Sequence, residues 1–171
     1  MADRRDAADR EAGGGADLVG ARALDRLADQ GLSVEIQRFP DGTRTAEQAA
    51  TAVGVEVGQI VKSLVFVRPG SGRHPLLVLT SGANRVDEGR VGDLVGERIE
   101  RAGADEVRTA TGFSIGGVPP VGHGLPLDVF VDEDLLRYGV VWAAAGTPHD
   151  VFSITPDDLV RVTNGRVARV A

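Results

Sequence analysis

The chain contains no cysteine, which excludes disulfides, thiolate metal sites and cysteine nucleophiles. Aromatic residues make up only 4% of its 171 residues, which argues against a wide platform on which nucleic-acid bases stack. The formal net charge is −6, and no basic face is evident that would coat a nucleic acid. This balance still allows a protein that reads one small end of a nucleic acid.

Long apolar runs are also missing. The longest, near residues 140–145, is far too short to span a bilayer, and the charged N-terminus lacks the apolar segment of a signal peptide. We therefore predict a cytoplasmic protein with no membrane contact. The polar, glycine-rich residues 1–17 are predicted to form a disordered tail, and residues 18–171 a single domain.

Lysine is the scarcest charged residue, because Lys62 is the only lysine among 19 basic residues. It lies in the apolar run 60–67, which predicts a buried strand. A compact ammonium and a broad guanidinium are not interchangeable at a tight site, and a buried charge needs a partner. Lys62 is therefore a candidate functional residue. The alternative is a strand-edge lysine whose stem lets the ammonium reach water.

Glycine and proline are concentrated in residues 111–126, TGFSIGGVPPVGHGLP. A loop of this length with few charges is usually functional. Adjacent glycines allow backbone N–H groups to approach a ligand and form an oxyanion hole or an anion site. Pro119 and Pro120 have no N–H group, so the candidate donors are Gly116, Gly117 and Val118.

The pattern along the chain predicts an α+β domain. Helices are expected at 18–28, 45–53, 87–94 and after Thr155, and an extended segment is expected to begin at Val107. The predicted strands are 34–36, 60–67, 76–80, 127–131, 140–144, 151–154 and 167–170. Strands 60–67 and 76–80 are expected to pair antiparallel across the loop at 68–72.

Several catalytic signatures are absent, including a P-loop, a dinucleotide-binding fingerprint and a nucleophile elbow. His74, His123 and His149 show no paired ligand spacing, so we predict neither a metal nor a cofactor. His149 is either a ligand donor or a surface histidine. Asp132 and Asp134 follow a strand, where carboxylates are more often helix caps than an acid–base pair.

Four motifs together carry a family resemblance: IVKSLVF (60–66), SGANRVD (81–87), TGFSIGGVPPVGH (111–123) and VWAAAGTPH (141–149). In this order and spacing they resemble the YbaK/EbsC family of aminoacyl-tRNA editing proteins. That family is similar to the editing insertion domain of bacterial prolyl-tRNA synthetase. The resemblance extends from about Val34 to Val170 and implies a mixed, barrel-like β-sheet flanked by helices.

The resemblance implies a hydrolase that acts in trans on mischarged tRNA. Such enzymes cleave the ester between a wrong amino acid and the 3′-terminal adenosine, typically on proline tRNA carrying cysteine or alanine. The family's lysine corresponds to Lys62, its G-x-x-P loop to Gly116–Pro120, its aspartate to Asp132 and its late glycine loop to Gly146. Val118 precedes the two prolines where cysteine editors carry a serine before the second proline, which leaves the amino acid open.

The predicted catalytic residues are Lys62, Gly116, Gly117 and Asp132. The predicted substrate-binding residues are Phe39, Thr45, Val118, Pro119, Pro120, Gly122, His123, Gly146 and His149. The partner is the aminoacylated 3′ end of a tRNA, with prolyl-tRNA synthetase as a candidate protein partner. Two alternatives stay open: a non-catalytic module that binds an adenosine end or a nucleotide, and a hydrolase of small acyl esters unrelated to tRNA.

Overall fold

The computed structural model of the chain describes residues 20–171, so the tail predicted at 1–17 lies outside the described residues. The helices are α1 (20–29 within the described part), α2 (Ala46–Val53), α3 (Glu88–Val95), α4 (Ala104–Thr111) and α5 (Pro156–Thr163). The strands are β1 (Gln37–Arg38), β2 (Val61–Arg68), β3 (His74–Ser81), β4 (Glu100–Arg101), β5 (Asp128–Asp132), β6 (Val141–Ala144), β7 (Asp150–Ile154) and β8 (Arg166–Ala168).

These strands form two sheets. The larger is a mixed five-stranded sheet in the order β4-β2-β3-β5-β8, in which β3, β5 and β8 run parallel. The smaller is an antiparallel sheet in the order β1-β7-β6. A single bridge between Ile60 and Trp142 brings the two sheets together. The mixed α+β class is confirmed, whereas within residues 20–171 no closed ring of strands is formed, so a barrel-like sheet stays a prediction.

The hairpin of β2 and β3 is the centre of the larger sheet, and its antiparallel pairing was predicted correctly. In its register Lys62 lies opposite Thr80, and Leu64 lies opposite Val78. Residues alternate between the two faces of a strand. Val61 and Val65 therefore enter the core between the sheets, while Leu64 and Phe66 pack on the opposite face against α3 and its neighbours.

Three helices begin as the sequence predicts. Thr45, Asp87 and Thr155 each accept a hydrogen bond from the backbone N–H three residues later, which satisfies a free donor of the first helical turn. Each of these caps fixes the start of a helix beside a strand. The cap of α2 matters most for the site, because α2 packs against Ile60 and Trp142 where the two sheets meet.

The extended segment predicted to begin at Val107 is wrong, because Val107 lies inside α4. The backbone N–H of Gly103 donates to Glu106 Oε1 at 3.2 Å, which closes the first turn of the helix. Val107 and Ala110 are both buried, and residues three apart share one helical face. Gly112, with a φ of 81°, ends the helix.

Most of the hydrophobic core lies between the two sheets. Its residues come from both sheets, from α1, α4 and α5, and from the glycine-rich loop, where Phe113 and Val118 are buried. This packing anchors the loop at both ends of its turn. Within residues 20–171, no helix combines the length and apolar character required to cross a membrane.

Candidate functional site

A cavity of about 310 Å³ opens along the outer edge of β2. At one end of this edge β4 pairs only with Phe66 and Val67, and at the other end Trp142 bridges Ile60. The strand between these two contacts, including Lys62 and Ser63, lines the cavity. The gap in strand pairing therefore creates the cavity.

Lys62 projects from β2 into the wall of this cavity. It is half-buried, and its Nζ donates a hydrogen bond to the backbone carbonyl of Asn84. Burial lowers the pKa of the Lys62 ammonium, Glu47 opposes this shift, and Arg85 adds to it. Among residues 20–171, the partner of the Lys62 ammonium is therefore a backbone carbonyl and not a carboxylate, so the only lysine of the sequence is held as a partly desolvated cation.

Asp132 is 1% exposed and does not line the cavity. Its Oδ2 accepts hydrogen bonds from Ser81 N at 3.0 Å and from Asn84 Nδ2 at 2.9 Å. Its Oδ1 accepts a third, from Asp134 N at 3.0 Å. Since Asp132 is buried and does not line the cavity, the geometry does not support contact with a substrate there. Asp132 instead positions Asn84, whose carbonyl holds the Lys62 ammonium.

The glycine-rich loop forms the wall opposite β2. Gly116 and Val118 line the cavity, whereas Gly117 does not. The N–H of Gly117 was predicted as a candidate oxyanion donor. It donates instead to Ser114 O at 3.0 Å within a turn, so it is not available for that role. Among the described residues, the N–H groups of Gly116 and Val118 have no acceptor. They are the two candidate donors that remain.

Gly117 has a structural reason to lack a side chain. A Cβ at this position would lie 2.8 Å from Thr147 Cα and 2.9 Å from Gly146 O, closer than such atoms can approach. The glycine-rich loop is therefore packed directly on the backbone of the loop that follows β6. Thr147 and Pro148 of that second loop also line the cavity.

The remaining predicted residues of the glycine-rich loop are not among the residues that line the cavity. Pro119 and Pro120 are buried, and the Pro119 carbonyl lies 2.7 Å from His123 Nε2. Burial lowers the pKa of His123, and the Pro119 carbonyl partly opposes that shift. Gly122, with a φ of 86°, lies against the backbone of Ala23 in α1. These residues shape the loop rather than contact a ligand in the cavity.

Four other predicted substrate-binding residues are near the second loop or α2. Thr45 lines the cavity as the N-terminal cap of α2. His149 Nδ1 lies 3.0 Å from the Phe39 carbonyl, and Phe39 N donates to His149 O at 2.8 Å, so this pair joins two loops outside the cavity. Gly146 adopts a φ of 118° and contacts Gly20, which makes its part in the site structural.

Sequence reasoning missed several residues of the cavity. Arg44, Arg101, Ser63 and Trp142 all line it. Ser63 Oγ and Trp142 Nε1 are buried and have no hydrogen-bond partner in the described part of the chain, which is unusual for buried polar atoms. Trp142 is the only tryptophan and could have been noticed for that reason. The cavity therefore offers polar groups as well as apolar walls.

Among the described residues, those that line the cavity include no histidine, aspartate or glutamate. Across residues 20–171, no cluster of three such side chains is arranged to hold a metal ion. The groups that the described lining offers for chemistry are therefore backbone N–H groups, hydroxyls and cations.

Comparison with known proteins gives consistent results. The family model described as "Aminoacyl-tRNA editing domain" matches residues 40–162. The uncharacterized protein YwhH of Bacillus subtilis is 30% identical over 133 residues, which cover 78% of this chain and 83% of YwhH. The "Putative Cys-tRNA(Pro)/Cys-tRNA(Cys) deacylase EbsC" of Enterococcus faecalis is 25% identical over 127 residues, covering 74% of this chain and 76% of EbsC.

One solved structure is more similar in sequence. It is described as "Crystal structure of a putative trans-editing enzyme for prolyl tRNA synthetase" and is 48% identical to this chain. The two superpose with a TM-score of 0.83, over 89% of this chain and 96% of the other. The mixed sheets and helices described above are therefore those of a known editing-type fold.

Proposed function

Because the chain belongs to the aminoacyl-tRNA editing domain family, we propose that it hydrolyses the ester of a mischarged tRNA in trans. The proposed substrate is proline tRNA that carries cysteine or alanine. One observation carries this proposal: the cavity is lined by the Lys62 cation and by Gly116 and Val118, whose N–H groups have no acceptor among the described residues. An aminoacyl ester is already activated, so positioning and oxyanion stabilisation suffice for its hydrolysis.

The N–H groups of Gly116 and Val118 are the proposed oxyanion donors. Charge develops on the ester carbonyl oxygen when a nucleophile adds to the carbonyl carbon. A preorganised N–H group that points at this oxygen stabilises the transition state, and removing one such donor typically slows a reaction about 100- to 1,000-fold. The packing of Gly117 on Thr147 fixes the loop before substrate arrives, so little reorganisation is needed.

Lys62 is the proposed anchor for the ribose–phosphate end of the terminal adenosine. Its ammonium donates three hydrogen bonds and is now held by one carbonyl, that of Asn84. Two donors thus remain for the nucleotide. The attacking group is a water molecule, which adds to the ester carbonyl carbon while the bond to the ribose oxygen breaks, so that the free amino acid and the ribose hydroxyl leave. If the neighbouring ribose hydroxyl orients this water, the substrate assists its own hydrolysis.

The aminoacyl group is proposed to occupy the apolar part of the cavity. Small and branched apolar side chains line it, among them Ala49, Val65 and Ala143. Such a pocket excludes large amino acids, but size alone separates a single methylene group by only about 1–3 kcal/mol. The buried Ser63 hydroxyl and Trp142 N–H offer hydrogen bonds that a polar amino acid or the α-amino group can use.

Further parts of the proposal concern the cellular setting. We propose that residues 18–171 act as a single editing domain in the cytoplasm. The chain carries a net charge of −6, so a prolyl-tRNA synthetase that already holds the tRNA is the proposed protein partner. Addition of the synthetase should then raise the editing rate at low enzyme concentration.

One observation favours a second candidate function. The part of the cavity lining that residues 20–171 form holds no aspartate, glutamate or histidine that can act as a general base. A module that binds an adenosine end without hydrolysing it would need no such group. Adenosine or a nucleotide would then raise the melting temperature while no ester is cleaved.

Deacylation of proline tRNA charged with cysteine, alanine, serine or proline tests the proposal. We expect micromolar enzyme to release cysteine or alanine faster than the enzyme-free rate and to leave the proline ester intact. A small aminoacyl ester with no nucleotide serves as a control for unspecific esterase activity. If none of the mischarged tRNAs is deacylated, the editing function is wrong and the binding module becomes the better account.

A further inference from the structure

Three arginines surround the Lys62 cavity. Arg44 and Arg101 line it, and Arg85 follows Asn84, whose carbonyl holds the Lys62 ammonium. Arg85 and Arg101 each lower the pKa of Lys62, as nearby cations do, after the larger effect of burial. Three cations therefore line one cavity and a fourth, Arg85, lies close enough to Lys62 to lower its pKa, in a chain whose net charge is −6.

These arginines are not engaged by carboxylates. Within residues 20–171, no carboxylate oxygen lies within 4.0 Å of the guanidinium groups of Arg44, Arg85 or Arg101. Some other arginines are paired, as Arg73 is with Glu100 at 2.6 Å and with Glu106 at 2.8 Å. The two carboxylates that raise the pKa of Lys62 are Glu47 and Asp132, and both oxygens of Asp132 already accept hydrogen bonds from backbone N–H groups.

Arg101 is also held in place. It lies opposite Phe66 in the β4–β2 register, and its guanidinium carbon is 5.7 Å from the centroid of the Phe66 ring. This contact restrains the side chain at the cavity while its N–H donors stay free for an anion. Guanidinium groups match the geometry of phosphate oxygens and bind them in pairs.

We propose that Arg44, Arg85 and Arg101 form a phosphate-binding site around the cavity, which holds the backbone phosphates of the nucleotides preceding the terminal adenosine of the tRNA. This inference rests on the proposed function, since it places the acylated adenosine in the cavity. It also explains how an acidic protein holds the end of a nucleic acid: a local cluster of cations replaces a general basic face.

The test compares adenosine with a CCA trinucleotide that carries no amino acid; the trinucleotide adds two cytidines and two internal phosphates, and the salt dependence of its binding reports on the phosphates. Binding of each is measured by titration to the wild type and to Arg44→Gln, Arg85→Gln and Arg101→Gln. Each substitution should weaken trinucleotide binding about tenfold, because a charge-assisted hydrogen bond is lost, and should leave adenosine binding unchanged. Each should also reduce the slope of log affinity against log salt by about 0.7.

Arg166 supplies the matched control. Its guanidinium carbon lies 6.0 Å from the Phe130 ring centroid, on β8 at the opposite edge of the sheet, and it does not line the cavity. Arg166→Gln should leave both ligands unaffected. Melting temperatures of all four variants establish that they are folded.

Two results would overturn the inference: equal weakening of adenosine and trinucleotide, or no weakening of either. Because neither ligand carries an aminoacyl ester, this outcome does not depend on hydrolysis. A second measurement uses the same aminoacyl ester on adenosine and on the trinucleotide. If the wild type hydrolyses neither ester, the proposed function is contradicted. The phosphate site is still supported in that case if the wild type binds the trinucleotide and the arginine substitutions weaken this binding.

Discussion

The two edges of the five-stranded sheet are built alike and differ in one respect. At each edge a short strand carries an arginine that stacks on a phenylalanine of the next strand, Arg101 on Phe66 and Arg166 on Phe130. At the β8 edge, three of the five residues of β5 are paired with β8. At the β4 edge only two of the eight residues of β2 are paired with β4, and residues of β2 that β4 does not cover line the cavity.

This difference shows that residue type alone does not mark a site. Both arginines make the same structural contact, but only Arg101 stands beside an open strand edge, Lys62 and unpaired N–H donors. An unpaired strand edge is normally covered or avoided. We propose that the ligand binds in the gap between β4 and the Trp142 bridge, and the following predictions test whether function is confined to that edge.

The largest effect is expected from exchanging the two kinds of cation. Lys62→Arg should lower kcat/KM for a mischarged tRNA about 100-fold, because the broad guanidinium cannot occupy the place of the ammonium beside Asn84. Arg166→Lys, the reverse exchange at the β8 edge, should leave the rate within twofold. Steady-state kinetics with thermal melts checks both. Near-normal activity of Lys62→Arg would show that an arginine can replace the single lysine, which contradicts the role given to Lys62.

A methyl group added to the glycine-rich loop should have the next largest effect. The Cβ of Gly117→Ala meets the backbone of Thr147, so the loop must shift and move the Gly116 and Val118 donors. We expect activity to fall roughly 10- to 100-fold and the free energy of unfolding to fall by about 1–3 kcal/mol.

Gly165→Ala, before β8, is the control for that substitution. Its Cβ would lie 2.7 Å from Val131 Cγ2 and 2.8 Å from Thr163 Oγ1, so it also crowds a packed region. Denaturant unfolding should show a comparable loss of stability, while the rate of the folded protein is retained. Equal loss of activity in both variants would mean that the Gly117 effect is only one of stability.

A smaller effect is expected for Asp132→Asn. The amide has one oxygen where the carboxylate has two, so at least one of the donors Ser81 N, Asn84 Nδ2 and Asp134 N loses its acceptor. The free energy of unfolding should fall by about 1–3 kcal/mol, and activity about tenfold through the shifted Asn84 carbonyl. A complete loss of activity in a folded variant would instead indicate direct participation of Asp132 in the reaction.

The pH dependence should show the smallest effect. Burial lowers the pKa of Lys62 below that of an ordinary lysine, so the ammonium is lost at a lower pH. Activity that requires the ammonium should therefore decline as the pH rises through that lowered pKa, after the spontaneous hydrolysis of the ester is subtracted. Asp132 raises the pKa of Lys62, so Asp132→Asn should move the decline to lower pH. An unchanged pH profile of activity in Asp132→Asn would mean that Asp132 does not influence the ionisation of Lys62.

Local signals predicted the parts of the fold that depend on nearby residues. The hairpin of β2 and β3 and the capped starts of α2 and α5 follow from strand patterning and from Thr45 and Thr155. The failure at Val107 has a local cause, because a glycine cap and Glu106 start a helix that the apolar spacing did not reveal. Such caps without a serine, threonine or aspartate are easily overlooked.

The candidate site was predicted only in part. Lys62, Thr45, Gly116 and Val118 line the cavity, whereas Asp132 and His123 do not, because each is held by partners elsewhere in the fold. Arg44 and Arg101 could not be singled out among so many arginines. Their place depends on long-range strand pairing and loop packing, which a sequence pattern does not record.

The most direct test is the rate at which wild-type enzyme in excess removes cysteine or alanine from proline tRNA at neutral pH. Our account predicts loss of the mischarged ester well above the spontaneous rate, with the proline ester left intact. Ester loss equal to the enzyme-free rate for every amino acid, from a protein that still binds the CCA end, would contradict it.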